Sequence, residues 1–395
     1  MPDLDTIRAF LDDRHVDFAK RVDAFARAEL RSRPEPADDD AARTEAREIL
    51  AILGDGGWLA PIPARDLRSI ALAREAIAAA SPLADAVYAL QALGTTPILL
   101  AGNERARDRW VDAAVAGHAM GAFAMTEVEA GSDVASMTTT ARREGDGWVL
   151  DGRKSFISNA GIADFYTVFA QTRSGSGSKG IACFVVAGDA PGLEFVGAQV
   201  LSAPHPLGEI RFDGCRIAAD ACLAGPGDGF KLGLATLDLL RTTVGAAACG
   251  MAARALEEAL DHALDRRQFG EPLAEFQLVR EKLARMATEL AASRLLVYRA
   301  AWVKDNGAER VTLESSMAKA HATETAQRVI DDAVQILGGR GVLADHPVDR
   351  LYRSVRALRI YEGTTEIQRL VIAGQLLARA RAARENRAPE GRDRT

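Results

Sequence analysis

The strongest candidate for chemistry in this sequence is a carboxylate beside a glycine. Glu362 precedes Gly363 in a stretch that reads Arg-Ile-Tyr-Glu-Gly-Thr-Thr-Glu-Ile-Gln, after a β-prone run and before an amphipathic helix. Glycine lets the backbone turn and lets a ligand approach closely, so a substrate could reach this carboxylate. If Glu362 faces an apolar cavity, burial raises its pKa, and the side chain can then remove a carbon-bound proton.

Four other stretches carry residue types that suit a flat or phosphate-bearing ligand. Residues 126–133 (Thr-Glu-Val-Glu-Ala-Gly-Ser-Asp) form a loop rich in hydroxyls and carboxylates, and residues 154–159 (Lys-Ser-Phe-Ile-Ser-Asn) alternate hydroxyls with an aromatic ring. Residues 266–270 (Arg-Arg-Gln-Phe-Gly) place cations at a predicted helix C-terminus. Residues 338–341 (Gly-Gly-Arg-Gly) follow a helical run. Taken alone, each is equally well explained as a cap, a turn or a strand end.

Composition restricts the classes of protein to consider. The chain has 395 residues, 48% of them apolar and 26% charged, which predicts a globular protein with more than one core. A net charge of −6 without a long basic stripe argues against a nucleic-acid partner. No apolar run reaches the roughly 20 residues that span a bilayer, and we expect no signal peptide and no membrane association.

Cysteine and histidine usage predicts neither disulfides nor a metal site. The four cysteines have no C-x-x-C spacing and are expected to be reduced thiols of a cytoplasmic protein. The six histidines show no H-x-x-x-H or H-E-x-x-H pattern, so no metal site is predicted.

The chain divides into helical, β-prone and helical parts. Residues 1–118 have helical periodicity, with a polar break at 31–40 and a stop near Gly94 and Pro97. Residues 119–226 contain short β-prone runs, and residues 227–381 return to helical spacing, with a near-heptad over 277–304. The polar residues 382–395 are predicted to be a disordered tail. Because the parts are segregated rather than alternating, an α+β fold is predicted instead of a doubly wound sheet.

The order and spacing of the five stretches resemble the acyl-CoA dehydrogenases, a family of FAD-dependent flavoproteins. Residues 126–133 resemble the first family signature, and residues 335–341 with 361–367 resemble its C-terminal signature. The resemblance extends from about residue 85 to 380. It implies an N-terminal helical domain, a middle β-barrel domain and a C-terminal four-helix bundle, in agreement with the segregation above.

The resemblance also implies where FAD binds. The residues expected along one side of the flavin are Phe123, Met125, Thr126, Ser132, Phe156 and Ser158. The residues expected to contact the FAD of a neighbouring subunit are Arg266, Gln268, Gln277, Gln335 and Gly339. Thr364 and Glu366 would close over the FAD of their own subunit. A cofactor shared in this way implies a homo-oligomer, in this family usually a tetramer.

By the same resemblance, Glu362 would remove the α-proton of an acyl-CoA thioester while hydride leaves Cβ for flavin N5. Some relatives carry the base on a different helix, but the matching residue here is Leu240, which cannot titrate. The predicted substrate contacts are Ser132, Asp238, Arg241, Tyr361 and Gly363, although Arg241 could equally form an ordinary helix salt bridge. Electrons would pass to an electron-transfer flavoprotein.

Two departures from the family pattern leave the substrate open. The loop 201–208 (Leu-Ser-Ala-Pro-His-Pro-Leu-Gly) lacks the usual arginine and threonine, and Phe156 stands where tryptophan is commoner. Acyl chain length and branching cannot be deduced. A divergent member acting on a carrier-protein thioester, or as a desulfinase, flavin oxidase or monooxygenase, remains an alternative. A third is a helical interaction protein whose site is inactive.

Overall fold

The computed structural model describes residues 2–173 and 175–385. Within them, helices come first, a β-sheet follows, and a helical bundle ends the chain, which confirms the predicted fold class. The N-terminal helices are α1 (Leu4–Ile7), α2 (Asp13–Phe25), α3 (Asp39–Asp55), α4 (Pro61–Ala64), α5 (Leu67–Ala80), α6 (Pro82–Ala101), α7 (Glu104–Ala106) and α8 (Asp112–Val115). The polar break before α3 is present, and Asp38 caps that helix by accepting a hydrogen bond from the amide of Ala41 at 2.8 Å.

The predicted stop near Gly94 and Pro97 is wrong, because α6 continues through both residues. Gly94 serves packing instead of termination. A Cβ added there would lie 2.9 Å from the Cα of Gly121, so only glycine allows α6 to approach the sheet this closely. The hydroxyl of Thr167 in the sheet also donates to the carbonyl of Gly94 at 2.9 Å.

The middle of the chain forms an eight-stranded sheet with the order β6-β7-β3-β2-β4-β5-β8, and β1 pairs in parallel with β4. Its strands are β1 (Gly121–Ala124), β2 (Thr140–Glu144), β3 (Gly147–Ser158), β4 (Phe165–Gln171), β5 (Ile181–Ala187), β6 (Leu193–Ala198), β7 (Leu207–Ile217) and β8 (Cys222–Ala224). The pairing of β3 with β7 shifts register between Lys154 and Ile157. This irregularity lies in one of the stretches predicted to bind a ligand.

The C-terminal helices pack mainly around one long helix. They are α9 (Asp228–Asp265), α10 (Gln277–Asp305), α11 (Thr312–Leu337), α12 (Pro347–Val355) and α13 (Thr365–Glu385), and a two-stranded ribbon of β9 (Arg267–Gln268) and β10 (Glu271–Pro272) joins α9 to α10. The helix predicted over 277–304 is confirmed.

Two local predictions in this part need correction. The β-prone run before Glu362 is a 3-10 helix (Arg356–Arg359) and a turn, because the amides of Ile360 and Tyr361 both bond to the carbonyl of Ala357. Residues 382–385, predicted as disordered tail, continue α13. The rest of that predicted tail lies outside the described residues.

Two helices are longer and more apolar than the sequence interpretation allowed. By length and composition alone, α6 and α9 could each cross a membrane. However, 83% and 72% of their most apolar windows are buried inside the protein, as in core helices, so these two helices are weak evidence for a membrane span.

Candidate active site

Glu362 lies in a tight turn whose carbonyls are held by side chains. Its φ is +54°, a left-handed conformation unusual for a residue with a Cβ, and Gly363 follows at +93°. The ammonium of Lys319 donates to the carbonyl of Gly363 at 2.7 Å, and Arg241 Nε donates to that of Glu362 at 3.3 Å. Gln368 Nε2 contacts both carbonyl oxygens, at 3.1 and 3.4 Å. These donors compensate for the cost of the left-handed backbone.

One oxygen of the Glu362 carboxylate is left without a partner. Its Oε2 atom is buried and accepts no hydrogen bond among the described residues. Burial raises the pKa of Glu362, although Arg74, Arg241 and Lys319 counteract this by favouring the charged form. Among the backbone hydrogen bonds of the described chain, none uses the Glu362 amide. The turn therefore offers a proton acceptor of raised pKa and a free amide donor side by side.

Three buried cations surround this turn from different elements. Lys319 on α11 is fully buried, and burial lowers its pKa to about 8 although Glu362 favours its charged form. Arg74 on α5 is 1% exposed and forms two bonds of 2.8 Å to Asp85 on α6. The third is Arg241 on α9, which is 7% exposed. Glu362 thus lies between the N-terminal helices and the C-terminal bundle.

Tyr361, directly before Glu362, is partly exposed. Its side chain is 38% exposed, yet burial raises its pKa and the Arg74 charge lowers it. Asp238, predicted to contact substrate, accepts hydrogen bonds from Thr312 Oγ1 at 2.8 Å and from Arg241 at 3.3 Å.

A buried ion pair joins two of the stretches predicted to line the flavin. Lys154 Nζ donates to Glu127 Oε1 at 2.9 Å and to the carbonyl of Met125 at 3.0 Å, and the amide of Ser155 donates to the carbonyl of Thr126. Burial lowers the pKa of Lys154 to about 8. Burial would raise the pKa of Glu127, but Lys154 and backbone donors lower it to about 2. The pair therefore fixes residues 125–126 beside residues 154–158.

The residues predicted to line the flavin differ in how exposed they are. Phe156 is 54% exposed and left-handed, at φ +58°, within the register shift of β3. Phe123 packs on Phe169 with ring centroids 5.0 Å apart. Met125 is 4% exposed, and its side chain lies against α9, so only its backbone is available to a ligand. Ser132 is exposed in its loop.

The structure does not bring the second predicted set near Glu362. Arg266 follows the last residue of α9, and at about 1.5 Å per residue it lies roughly 37 Å along the axis from Arg241. Burial lowers the pKa of His262, and the charges of Arg340 and Arg266 lower it further, which places the turn 338–342 at the same end of the bundle. All five members of this set are exposed, namely Arg266, Gln268, Gln277, Gln335 and Gly339.

Thr364 and Glu366, expected to close over the cofactor, take part in the start of α13. The hydroxyl of Thr364 accepts a hydrogen bond from the amide of Ile367 at 3.3 Å, as a helix cap does. Glu366 is exposed, and hydrogen bonds to its own amide and to Thr364 lower its pKa. Both residues therefore have a structural role that needs no ligand.

One group of possible metal ligands occurs in the described chain, namely His15, Asp66 and Asp305. Its carboxylates already have cationic partners, because Arg14 lies 2.9 Å from Asp66 and Arg68 lies 2.9 Å from Asp305. The donor set therefore does not suit a metal ion, and we assign it a role in joining α2, α5 and α10.

The middle domain presents an open surface that fits a flat heterocycle. Phe156 exposes a ring without a packing partner among the described aromatic pairs. A Cβ built on Gly131, in the loop 126–133, would meet no atom within 4 Å, so this loop leaves room for a ligand. Residues suited to stacking and to hydrogen bonding thus flank free space.

Three domain profiles match the chain almost from end to end. They are the N-terminal, middle and C-terminal domains of acyl-CoA dehydrogenase, at residues 12–118, 122–215 and 227–377. This chain belongs to the acyl-CoA dehydrogenase family. It is therefore an oxidoreductase of a flavoprotein family, and the resemblance inferred from the sequence is confirmed.

Relatives and solved structures agree with this assignment. A probable acyl-CoA dehydrogenase of Mycobacterium leprae is 37% identical over 377 residues, 93% of this chain and 96% of that protein. The human mitochondrial short-chain specific acyl-CoA dehydrogenase is 42% identical over 287 residues, 71% and 68% of the two chains. Butyryl-CoA dehydrogenase from Megasphaera elsdenii superposes with a TM-score of 0.86 at 32% identity, covering 93% and 99%. A glutaryl-CoA dehydrogenase from Mycobacterium smegmatis, solved with FADH2, gives 0.85 at 28% identity, covering 94% and 96%.

The sequence missed several residues that shape this acyl-CoA dehydrogenase site. Lys319, Arg74 and Gln368 belong to helices whose periodicity gives no reason to single them out. His205 was noted only as part of an unusual loop. A lysine at a buried position of α11 was the one available signal, since lysine is rarely buried without a function or a partner.

Proposed function

We propose that this protein uses FAD to introduce a double bond between Cα and Cβ of an acyl-CoA thioester, with Glu362 as the base. The observation that carries the proposal is the buried, unpartnered Oε2 of Glu362 in a turn fixed by three side chains. A carboxylate deprived of hydrogen bonds is a stronger base than one in water, and its fixed position supplies the orientation that proton abstraction needs.

The protein's part in the reaction is the transfer of one proton. Glu362 takes the α-proton of the thioester onto its carboxylate, and its raised pKa suits that proton. Negative charge then develops on the thioester oxygen. The unused amide of Glu362 is the protein donor proposed for that oxygen, by analogy with an oxyanion hole. When bound, FAD supplies the acceptor for the hydride that leaves Cβ.

Two surfaces are proposed to bind FAD. The exposed Phe156 would stack on the flavin, with Ser158 and Thr126 offering hydrogen bonds beside it. The relative solved with FADH2 supports FAD as the form used here. The distant set from Arg266 to Gly339 would hold the FAD of a neighbouring subunit, because its distance from the Glu362 turn is too large for one chain. This distance supports a homo-oligomer, and a homotetramer is proposed from the family resemblance.

Substrate and acceptor are proposed from the relatives and from family resemblance. The relatives named for butyryl-CoA and for short-chain substrates support a short acyl group. An electron-transfer flavoprotein is the proposed acceptor. The buried, unpaired thiols of Cys183, Cys215 and Cys249 suit a reducing compartment such as the cytoplasm.

Anaerobic mixing of the FAD-loaded protein with a panel of acyl-CoAs tests the proposal. Rapid bleaching of the flavin by short straight-chain acyl-CoAs, with formation of the enoyl-CoA, is the expected result. Absence of bleaching by every acyl-CoA, or an apoprotein that takes up no FAD, would overturn it. A rapid yield of hydrogen peroxide in air would identify an oxidase instead.

A further inference from the structure

The segment 199–206 between β6 and β7 contacts the flavin-facing end of β3 at three points. Gln199 Oε1 accepts a hydrogen bond from the amide of Phe156 at 2.7 Å. His205 Nε2 lies 2.7 Å from Ser158 Oγ. The carbonyl of Pro206 accepts from the amide of Asn159, also at 2.7 Å. One segment therefore holds three of the four residues from 156 to 159.

The contact from Gln199 explains an otherwise unfavourable conformation. Phe156 is left-handed, which is unfavourable for a residue with a Cβ, and β3 loses its regular pairing with β7 at this residue. The irregularity would leave the Phe156 amide unpaired, but the Gln199 side chain accepts its hydrogen. As a result, the strand bulges and the Phe156 ring points away from the core, with 54% of its surface exposed.

His205 is itself held in a fixed position. It stands between Pro204 and Pro206, whose rings restrict the backbone on both sides. Burial lowers its pKa to about 4, with Asp39 and Arg43 acting in opposite directions, so the imidazole is neutral near pH 7. Arg43 also donates to the carbonyl of Leu207 at 2.8 Å. A neutral imidazole offers Ser158 one defined partner without adding charge beside the cofactor site.

The segment is also anchored to α12, which is itself tied to the stretch ahead of α3. Arg353 on α12 donates to the carbonyl of Ser202 at 3.2 Å and pairs with Glu35 at 2.6 Å, ahead of α3. These contacts limit how far the loop can move. A loop held from both sides can position the groups it touches, whereas a free surface loop could not.

We propose that His205 and Gln199 are positioning residues for the flavin: His205 directs the hydroxyl of Ser158, and Gln199 holds the ring of Phe156 toward the cofactor. This inference rests on the proposed function, because it requires FAD beside Ser158 and Phe156. It gives a role to the loop in which the sequence departs from its family.

The test compares His205→Leu, His205→Gln, Ser158→Ala and the double variant His205→Leu/Ser158→Ala. The readouts are the dissociation constant of FAD, the visible spectrum of bound flavin and its midpoint potential. His205→Leu and Ser158→Ala should each weaken FAD binding about tenfold and shift the flavin bands, as expected when a hydrogen bond is lost. The double variant should be no worse than either single variant, because both remove the same contact. His205→Gln should recover part of the effect.

Ser202→Ala is the matched control, since Ser202 lies in the same loop and contacts Arg353 only through its backbone. Gln199→Met should likewise weaken FAD binding, by releasing Phe156. If His205→Leu folds and binds FAD with unchanged affinity and spectrum, the inference is wrong. If His205→Leu does not fold, an unchanged spectrum in His205→Gln and Ser158→Ala leads to the same conclusion. If the wild-type protein takes up no FAD, the proposed function fails instead.

Discussion

The ammonium of Lys319 lies 2.7 Å from the carbonyl oxygen of Gly363, at the foot of the turn that carries Glu362. Lys319 is fully buried on α11, so the bond is formed away from water, where a charged donor is strong. Together with Arg241 and Gln368 it fixes both carbonyls of the turn. The Oε2 atom and the amide of Glu362 have no hydrogen-bond partner among the described residues.

Replacement of Lys319 by methionine should disorder this turn while leaving the pocket apolar. We expect kcat to fall by about 10- to 100-fold with a smaller change in KM, because misplacement of a base by even 1 Å is costly. Steady-state kinetics with the best acyl-CoA measures both. Lys304→Met is the control, since Lys304 bonds only to the carbonyls of Ala308 and Glu309 at the end of α10. Equal kcat values for the two variants would contradict the role given to Lys319.

Glu362→Gln should abolish catalysis and keep the cofactor. The amide retains the shape of the side chain but cannot accept the proton, so flavin reduction should slow by ~10³-fold, within the range for loss of a general base. Stopped-flow absorbance under anaerobic conditions measures the rate. Glu281→Gln, an exposed glutamate paired with Arg285, is the control. Substantial bleaching of the flavin by acyl-CoA in Glu362→Gln would contradict the assignment of Glu362 as the base.

The same variant should alter how stability depends on pH. Burial raises the pKa of Glu362 above its ordinary value of 4.5. The contribution of this group to stability is therefore largest below that value, where the group is protonated in both states, and it is lost as pH rises through the folded-state pKa. Glu362→Gln stays neutral and should escape this loss. Melting temperatures of the apoproteins should coincide near pH 4 and diverge in favour of Glu362→Gln toward pH 8. A constant difference would refute the raised pKa.

The buried pair of Lys154 and Glu127 should behave as one unit. Lys154→Met leaves Glu127 buried without its cation and should cost about 3–5 kcal/mol of unfolding free energy. The double variant Lys154→Met/Glu127→Gln should cost clearly less than the sum of the two single variants, because neither charge is then unpaired. Denaturant unfolding of the apoprotein measures each value. Strict additivity would show that the 2.9 Å contact carries no coupling.

Phe269 provides a test of the proposed assembly. It is 95% exposed at the tip of the β9–β10 ribbon, next to Gln268 and Arg266. If this ribbon reaches a neighbouring subunit, Phe269→Asp should yield smaller species in analytical ultracentrifugation and should release FAD. Val200→Asp, 75% exposed in the middle domain, should leave the assembly intact. If Phe269→Asp leaves the tetramer intact, the ribbon does not form part of the interface.

The sequence predicted those features that depend on neighbouring residues. The helical, β-prone and helical order follows from hydrophobic periodicity, and the break before α3 follows from its proline and acidic residues. Glu362 was found because a glycine turn and a helix start flank it. The same reasoning erred at Pro97 and at the run before Glu362. At Pro97, packing of α6 on the sheet outweighs the local cost of proline. Before Glu362, β-prone residues have no strand to pair with.

Only the tertiary structure decided which groups meet at the site. Lys319, Arg241 and Arg74 are all far from the Glu362 turn in the chain. They come close to it only because of the way four helices pack. The same holds for His205 and Ser158, which two paired strands bring to 2.7 Å. Local sequence sets backbone preference over a few residues, whereas burial and electrostatics depend on every element that surrounds a group. Glu362 could therefore be proposed as the base from the sequence, whereas the groups that hold its turn and act on its pKa could not.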